Sequence, residues 1–180
     1  MRERIFFMKF NTLFGYCPVC GSNEFRPNNV KSMRCFRCGF VMYVNPSAAV
    51  AAFILNKKEE LLICVRAKDP AKGTWDLPGG FVDDDESAEQ AVQREIEEEL
   101  GTKVVAGKYL FSLPNEYLYS GWTLPTLDMF YFYEVDDDFH PVPADDVQEC
   151  FFMPLKQIDR ERFGLKSIKN AVDLFLSNYK

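Results

Sequence analysis

Four glutamates, Glu95, Glu97, Glu98 and Glu99, crowd a turn and a half of chain inside the stretch GGFVDDDESAEQAVQREIEEELG. On a helix, like charges three and four residues apart repel by about 0.2–0.5 kcal/mol per pair. An advance of about 100° per residue puts Glu95, Glu98 and Glu99 on one face and turns Glu97 toward solvent. Left alone, three neighbouring carboxylates would retain one or more protons. A hard divalent cation such as Mg2+ or Mn2+ relieves the repulsion, since it prefers oxygen ligands and keeps positions for substrate phosphates. Taken by itself, the cluster fits a solvated acidic helix face equally well.

A second set of chemically pointed residues lies upstream. Cys17-Pro-Val-Cys20-Gly21 and Cys35-Phe-Arg-Cys38-Gly39 are two Cys-x-x-Cys pairs separated by fourteen residues. Each pair aims two thiolates at one point, and the glycine that follows tolerates the positive φ such a turn requires. Four thiolates at this spacing predict a closed, structural Zn2+ site held by Cys17, Cys20, Cys35 and Cys38. Disulfides are the weaker reading, because the opening MRERIFFMKF is charged and its apolar run is too short for a secretory signal.

Elements must position both sets. Ser87 with Gln90 predicts a capping box, and Gly101 a helix stop. Val92, Ile96 and Leu100 form the apolar stripe that would anchor this helix. Ala88 and Ala91 on the acidic side predict room beside the carboxylates. Between the cysteine pairs a small hairpin is expected around Pro27-Asn28-Asn29. After Val44-Asn45-Pro46-Ser47, two apolar runs, 48–55 and 61–67, predict a β-hairpin. A short strand should precede Gly79, with further strands near 104–112, 127–135 and 150–153. Leu165, Ile168, Ala171, Val172, Phe175, Leu176 and Tyr179 recur at helical spacing and predict an amphipathic closing helix. The organisation read from this pattern is an N-terminal segment and zinc ribbon over 1–43, then an α/β domain over 47–180 with a mixed sheet covered by helices.

Gly80, five residues, Glu86, seven residues, Arg94-Glu95-Ile96, then Glu98-Glu99 and Gly101 resemble the signature of the Nudix superfamily, departing at Thr102. The resemblance implies an α/β/α sandwich and metal-dependent hydrolysis of a nucleoside diphosphate linked to another group. It implies that Glu95, Glu98 and Glu99 hold Mg2+ or Mn2+, that the Gly79 carbonyl adds a backbone ligand, and that Glu86 and Arg94 pair loop with helix. A four-cysteine ribbon ahead of such a domain, joined through Tyr43 to Pro46, is similar to NADH, FAD and ADP-ribose pyrophosphatases. The segment Ser112 to Ser120 lacks the tryptophan and repeated prolines of the NADH enzymes. In that reading water attacks one phosphorus in line, and the base is Glu98, Glu149 or, more weakly, Glu116. Glu149 is also a candidate metal ligand.

Substrate contacts are assigned to Tyr43, Arg66, Glu116, Tyr117, Tyr119 and Trp122, the aromatics offering flat surfaces to a ring. Arg66, Lys68 and Lys72 could meet phosphate or simply face water. His140, Cys64 and Cys150 read as surface or buried side chains without chemistry.

The chain's 180 residues carry a net charge of −6 and 47% hydrophobic residues. The acidic balance argues against sequence-independent nucleic-acid binding, and no apolar run reaches the about 18 residues of a membrane helix. The expected partner is a small nucleotide diphosphate, with no membrane contact, a cytoplasmic setting and a homodimer left open. Two competing functions are a triphosphate-sanitising pyrophosphohydrolase and a non-catalytic nucleotide sensor whose ribbon contacts nucleic acid.

Overall fold

The structure is a computed structural model that describes residues 14–178, the Tyr119 side chain excepted. The first thirteen residues of the expected N-terminal segment, and Tyr179 of the closing helix, lie outside the described residues. The chain divides into two compact units, Met1–Asn45 and Pro46–Lys180.

In the first unit, β1 (Phe25–Asn29), β2 (Ser32–Cys35) and β3 (Val41–Tyr43) form an antiparallel sheet in that order. Phe25 and Met33 turn inward with Cys17 and Cys35 to make its small core. The hairpin turn falls at Val30-Lys31, beyond the expected Pro27-Asn28-Asn29. Pairing Phe25 with Cys35 draws Pro27 into the strand opposite Met33. The Asn29 carboxamide then accepts the Lys31 N–H at 3.0 Å and closes the turn.

The second unit is an α/β/α sandwich. Its strands are β4 (Ser47–Asn56), β5 (Glu60–Arg66), β6 (Trp75–Asp76), β7 (Lys108–Tyr119), β8 (Trp122–Val135) and β9 (Val147–Pro154); its helices are α1 (Ala88–Leu100) and α2 (Lys166–Asn178). The sheet order is β6-β5-β4-β8-β7, with β9 on β5. β4 runs parallel to β8, and the β7–β8 and β5–β9 pairs are antiparallel. β4 is apolar on both faces because helices cover both. Val50, Ala52 and Ile54 pack with Val92, Ile96 and Leu100 of α1. Ala51, Phe53 and Leu55 pack with Ile168, Ala171, Val172 and Phe175 of α2, and the rings of Phe53 and Phe175 stack at 4.2 Å.

Two expectations change. The 48–67 hairpin keeps its turn, organised by the Asn56 side chain, which accepts the N–H of Lys58 and Glu60 at 2.9 and 3.0 Å. Its strands then part: only Leu55 and Leu61 pair. Along its first half, the edge of β4 facing away from β8 is occupied by residues 78–82. Val50 donates to the Gly80 carbonyl at 2.8 Å, Ala52 to Pro78 at 2.9 Å, and Val82 donates to Ala48 at 3.1 Å. The later strands are also longer than expected. β7 and β8 make one extended hairpin through Pro114 and Pro125, paired from Lys108↔Phe132 to Tyr119↔Trp122. Pro114 lies on the edge strand, and Pro125 precedes Thr126, where the ladder to β4 begins, so neither ring interrupts a central ladder.

Candidate active site and metal centre

In the ribbon, Gly21 and Gly39 adopt φ of 68° and 80° and donate their N–H groups to the Cys17 and Cys35 carbonyls at 2.9 Å. Each turn thereby folds its pair of sulfurs inward. The four Sγ atoms lie within 4.8 Å of one another, with Cys17 and Cys38 3.7 Å apart and Cys20 and Cys35 3.6 Å apart. Tetrahedral thiolates about 2.3 Å from a zinc ion stand about 3.8 Å from each other. The donor set therefore fits a closed zinc site, and the thiols are not joined as disulfides. The Cys38 N–H beside Cys35 helps bring that thiol down to about 6, whereas the Ser22 backbone that would lower Cys20 is outweighed by burial and the neighbouring thiols, which push it up to about 12, so the crowded sulfurs hold their protons unevenly.

In the sandwich, α1 starts with the expected capping box. The Ser87 hydroxyl accepts from the Gln90 N–H, the Gln90 side chain accepts from the Ser87 N–H, and Gly101 closes the helix in the left-handed conformation. Glu97 faces solvent and Glu99 is buried, at 6% exposure. Glu95 and Glu98 join Glu99 on the wall of one cavity of about 310 Å³. Ala88 and Ala91 do not open space beside them. Ala91 is fully buried and Ala88 packs on the same core, because the apolar stripe of α1 is wide enough to include both.

The 78–82 segment is pressed between β4 and α1. A Cβ on Gly79 would sit 2.1 Å from the Val50 carbonyl, an approach to backbone that only glycine allows, and one on Gly80 would sit 2.3 Å from a Glu95 oxygen and push that carboxylate aside. Gly79 donates its N–H to the Glu99 carboxylate at 2.9 Å. Arg94 gathers the remaining acids. It contacts Glu86 at 2.6 and 3.1 Å, the Phe81 carbonyl at 3.0 Å, Glu95 at 2.9 Å and Glu98 at 3.0 Å. Burial pushes Glu99 far above the ordinary carboxylate range, against the Gly79 N–H and with help from Asp76, Glu95 and Asp146. Burial also raises Glu95, opposed by Arg94. Without a cation the cluster thus favours protons, and a divalent ion would displace them.

Of the facing wall, sequence reasoning named only Arg66 and Tyr117 and missed the rest. Asp128 on β8 is 7% exposed. It accepts hydrogen bonds from Asn115 at 3.0 Å and Thr126 at 2.5 Å. Asp76 on β6 pairs with Arg66 at 2.5 Å, and burial raises it despite that partner. Phe81 and Tyr117 meet edge to face at 5.5 Å. All of these groups line the cavity with Asp145 and Asp146. The loop carrying the two aspartates reaches the site by capping α1: Val142 and Ala144 donate to the Leu100 and Glu99 carbonyls, both at 2.8 Å.

Several predicted residues stand elsewhere. Glu149 is exposed on β9 opposite Val65 and does not line the cavity; Asp146, three residues earlier, does. Glu116 is exposed on the face of β7 away from Tyr117, because successive residues alternate across a strand. Arg66 lines the cavity, but its guanidinium is engaged by Asp76 and by the Pro70 carbonyl at 2.7 Å. Lys68 lies outside on Asp145 and Asp146. Tyr43 is exposed at the end of the ribbon sheet, and Trp122 is half-buried outside the cavity lining.

A family model described as NUDIX domain matches residues 45–173. An ADP-ribose pyrophosphatase of Methanocaldococcus jannaschii is 45% identical over 60 residues, 33% of this chain and 35% of that protein. The NAD-capped RNA hydrolase NudC of Vibrio parahaemolyticus is 28% identical over 117 residues, 65% of this chain and 42% of the relative. The matches thus span less than half the length of these relatives. Among solved structures, a NUDIX hydrolase from Nitrosomonas europaea superposes with a TM-score of 0.69 at 22% identity, covering 91% of each chain.

Proposed function

The chain belongs to the NUDIX hydrolase family, and on that premise we propose that it hydrolyses the pyrophosphate bond of a nucleoside diphosphate linked to a second group, of the NADH, FAD or ADP-ribose type, releasing a nucleoside monophosphate. The observation that carries this reading is the convergence of Glu95, Glu98 and Glu99 with the Gly79–Gly80 backbone on one cavity. At about 310 Å³ that cavity is at the lower end of the range of small-molecule sites, about 300–1,000 Å³.

Glu95, Glu98, Glu99 and the Gly79 carbonyl would hold Mg2+ or Mn2+, which when bound offsets diphosphate charge and acidifies water. Arg94 fixes the carboxylates of Glu95 and Glu98 while Glu86 holds Arg94, so the acids are positioned before substrate arrives. Glu98, half exposed at 51%, accepts the proton of the attacking water at a carboxylate oxygen. One water is consumed and two phosphate monoesters leave. Tyr117 and Phe81 supply aromatic surface for a ring. Asp128, with Asn115 and Thr126, offers acceptors for a donor-bearing group such as a sugar hydroxyl. Zn2+ in the ribbon keeps a structural role.

The named relatives act on ADP-ribose and on NAD-capped RNA, which supports a diphosphate flanked by two groups over a triphosphate. The test is a hydrolysis panel of NADH, FAD, ADP-ribose, NAD-capped RNA and nucleoside triphosphates with Mg2+ or Mn2+. Fastest release of a nucleoside monophosphate from a bridged diphosphate supports the reading. Fastest release of inorganic pyrophosphate from a triphosphate overturns it in favour of a sanitising enzyme.

A further inference from the structure

We infer that the outer face of the ribbon sheet is a binding surface for single-stranded nucleic acid, built on Arg26, Arg34 and Phe36. Arg26 on β1 and Arg34 on β2 are direct cross-strand partners, and both are exposed. Opposed residues of an antiparallel pair project from the same face, where two like charges cost stability. Among the described residues neither arginine forms an ion pair. The Arg34 guanidinium lies 5.9 Å from the centre of the Phe36 ring, and that ring is 62% exposed. The ribbon's own core is made by Phe25, Met33, Cys17 and Cys35, so folding does not account for these three outward side chains.

The net charge of −6 belongs to the chain as a whole. Within residues 14–45, Arg26, Lys31, Arg34 and Arg37 stand against Glu24, whose carbonyl accepts the Phe36 N–H at 2.9 Å, and against the −2 of a zinc ion held by four thiolates, so the ribbon keeps a balance of +1. At physiological salt, charges more than about 8 Å away are largely screened, so the local balance governs a ligand in contact. Two guanidinium groups beside a flat exposed ring match a phosphate flanked by an unstacked base. An acidic peptide would use the charges and leave the ring without a partner, and a duplex hides its base faces. The surface is confined to the ribbon and does not rest on the hydrolytic reading.

The test uses the full chain carrying Glu99→Gln, so that turnover cannot consume the probe. Fluorescence anisotropy would follow labelled single-stranded RNA and DNA of about 12 nucleotides, a matched duplex, and polyglutamate as competitor. Saturable binding of the single strands, weaker binding of the duplex and no displacement by polyglutamate are expected. Adding Phe36→Ala should weaken binding roughly tenfold. Adding Arg26→Ser with Arg34→Ser should lower the log–log salt slope by about 0.7, the value for one lost phosphate contact. Zinc content at parity with the parent confirms a folded ribbon. If Phe36→Ala loses zinc, Phe36→Leu, which keeps bulk without a ring, takes its place. Absence of binding at low salt, indifference to both sets of changes, or equal displacement by polyglutamate overturns the inference. RNA preferred over DNA, or the reverse, identifies the source of the strand and leaves the inference standing. Failure of the hydrolysis panel alone would leave this result untouched.

Discussion

Gly79 donates its backbone N–H to the carboxylate of Glu99 across 2.9 Å, joining the segment beside β4 to a buried acid near the end of α1. One oxygen of that acid is thereby oriented, and the acid itself lies where burial and the negative end of the helix dipole both oppose its charge. The pair sets out a site that is uncomfortable without a cation.

Glu99→Gln is therefore expected to leave the metal-free protein at least as stable as the parent while lowering turnover by at least about a hundredfold. Thermal melts in chelator, set beside turnover with Mg2+ or Mn2+, check both halves. A fall in the metal-free Tm would show that the carboxylate is a structural acid.

The same acids set a pH dependence. Glu99, Glu95 and Asp76 all bind protons more tightly folded than unfolded. Their stabilising contribution is complete below the ordinary carboxylate range and is lost as pH rises through their raised values. In chelator, stability should decline from about pH 5 upward, and Glu99→Gln should flatten that decline. Divalent metal should restore stability at neutral pH. Denaturant melts across pH, with and without metal, measure it.

Arg94→Lys removes a two-point contact with Glu86 and a bond to the Phe81 carbonyl while keeping the charge. A loss of about 1–3 kcal/mol in urea unfolding at unchanged m-value is expected. Turnover should fall as well, because Glu95 and Glu98 lose their common partner.

Asp146→Asn and Glu149→Gln separate two candidate late acids. Asp146 lines the cavity, and Glu149 is exposed outside it. Turnover should fall about tenfold or more for the first and change less than about twofold for the second. A reversed order would return the role to Glu149.

Tyr117→Ala should raise KM for the preferred bridged diphosphate by the equivalent of about 1–3 kcal/mol, with little effect on a small unspecific diphosphate. Glu116→Ala, on the opposite face of the same strand, serves as the unaffected comparison. Equal loss on both substrates for Tyr117→Ala would make the ring a packing element.

The parts legible in the sequence were those set by local rules. Ser87, Gln90 and Gly101 delimit α1 through caps that reach only three or four residues, and the two Cys-x-x-Cys turns carry their geometry within five. The apolar run of β4 was readable because both faces are covered. What escaped depends on partners distant in sequence. The strands expected near 104–112 and 127–135 stop short of Pro114 and Pro125, and only sheet position, one at an edge and the other before the ladder to β4, lets the hairpin run through both. Asp128 becomes a site residue only when the β7–β8 register pairs Asn115 with Thr126 and so brings both side chains within hydrogen-bond reach of it. Asp145 and Asp146 arrive only because a loop some forty residues downstream caps α1.

Residues 78–82 lie along half of one edge of β4, with three main-chain hydrogen bonds tying the two segments together. A segment so bound cannot swing as a lid without opening the sheet. The amide hydrogens of Val50 and Ala52 should accordingly exchange at the pace of global unfolding. A ligand of the proposed class would then meet a preformed wall at Glu95, Glu98 and Glu99, and the freedom lost on binding would fall mainly on the ligand. Adaptation by the protein falls instead to the tip of the β7–β8 hairpin, beyond Thr126 where the ladder to β4 begins, and to the 136–146 loop.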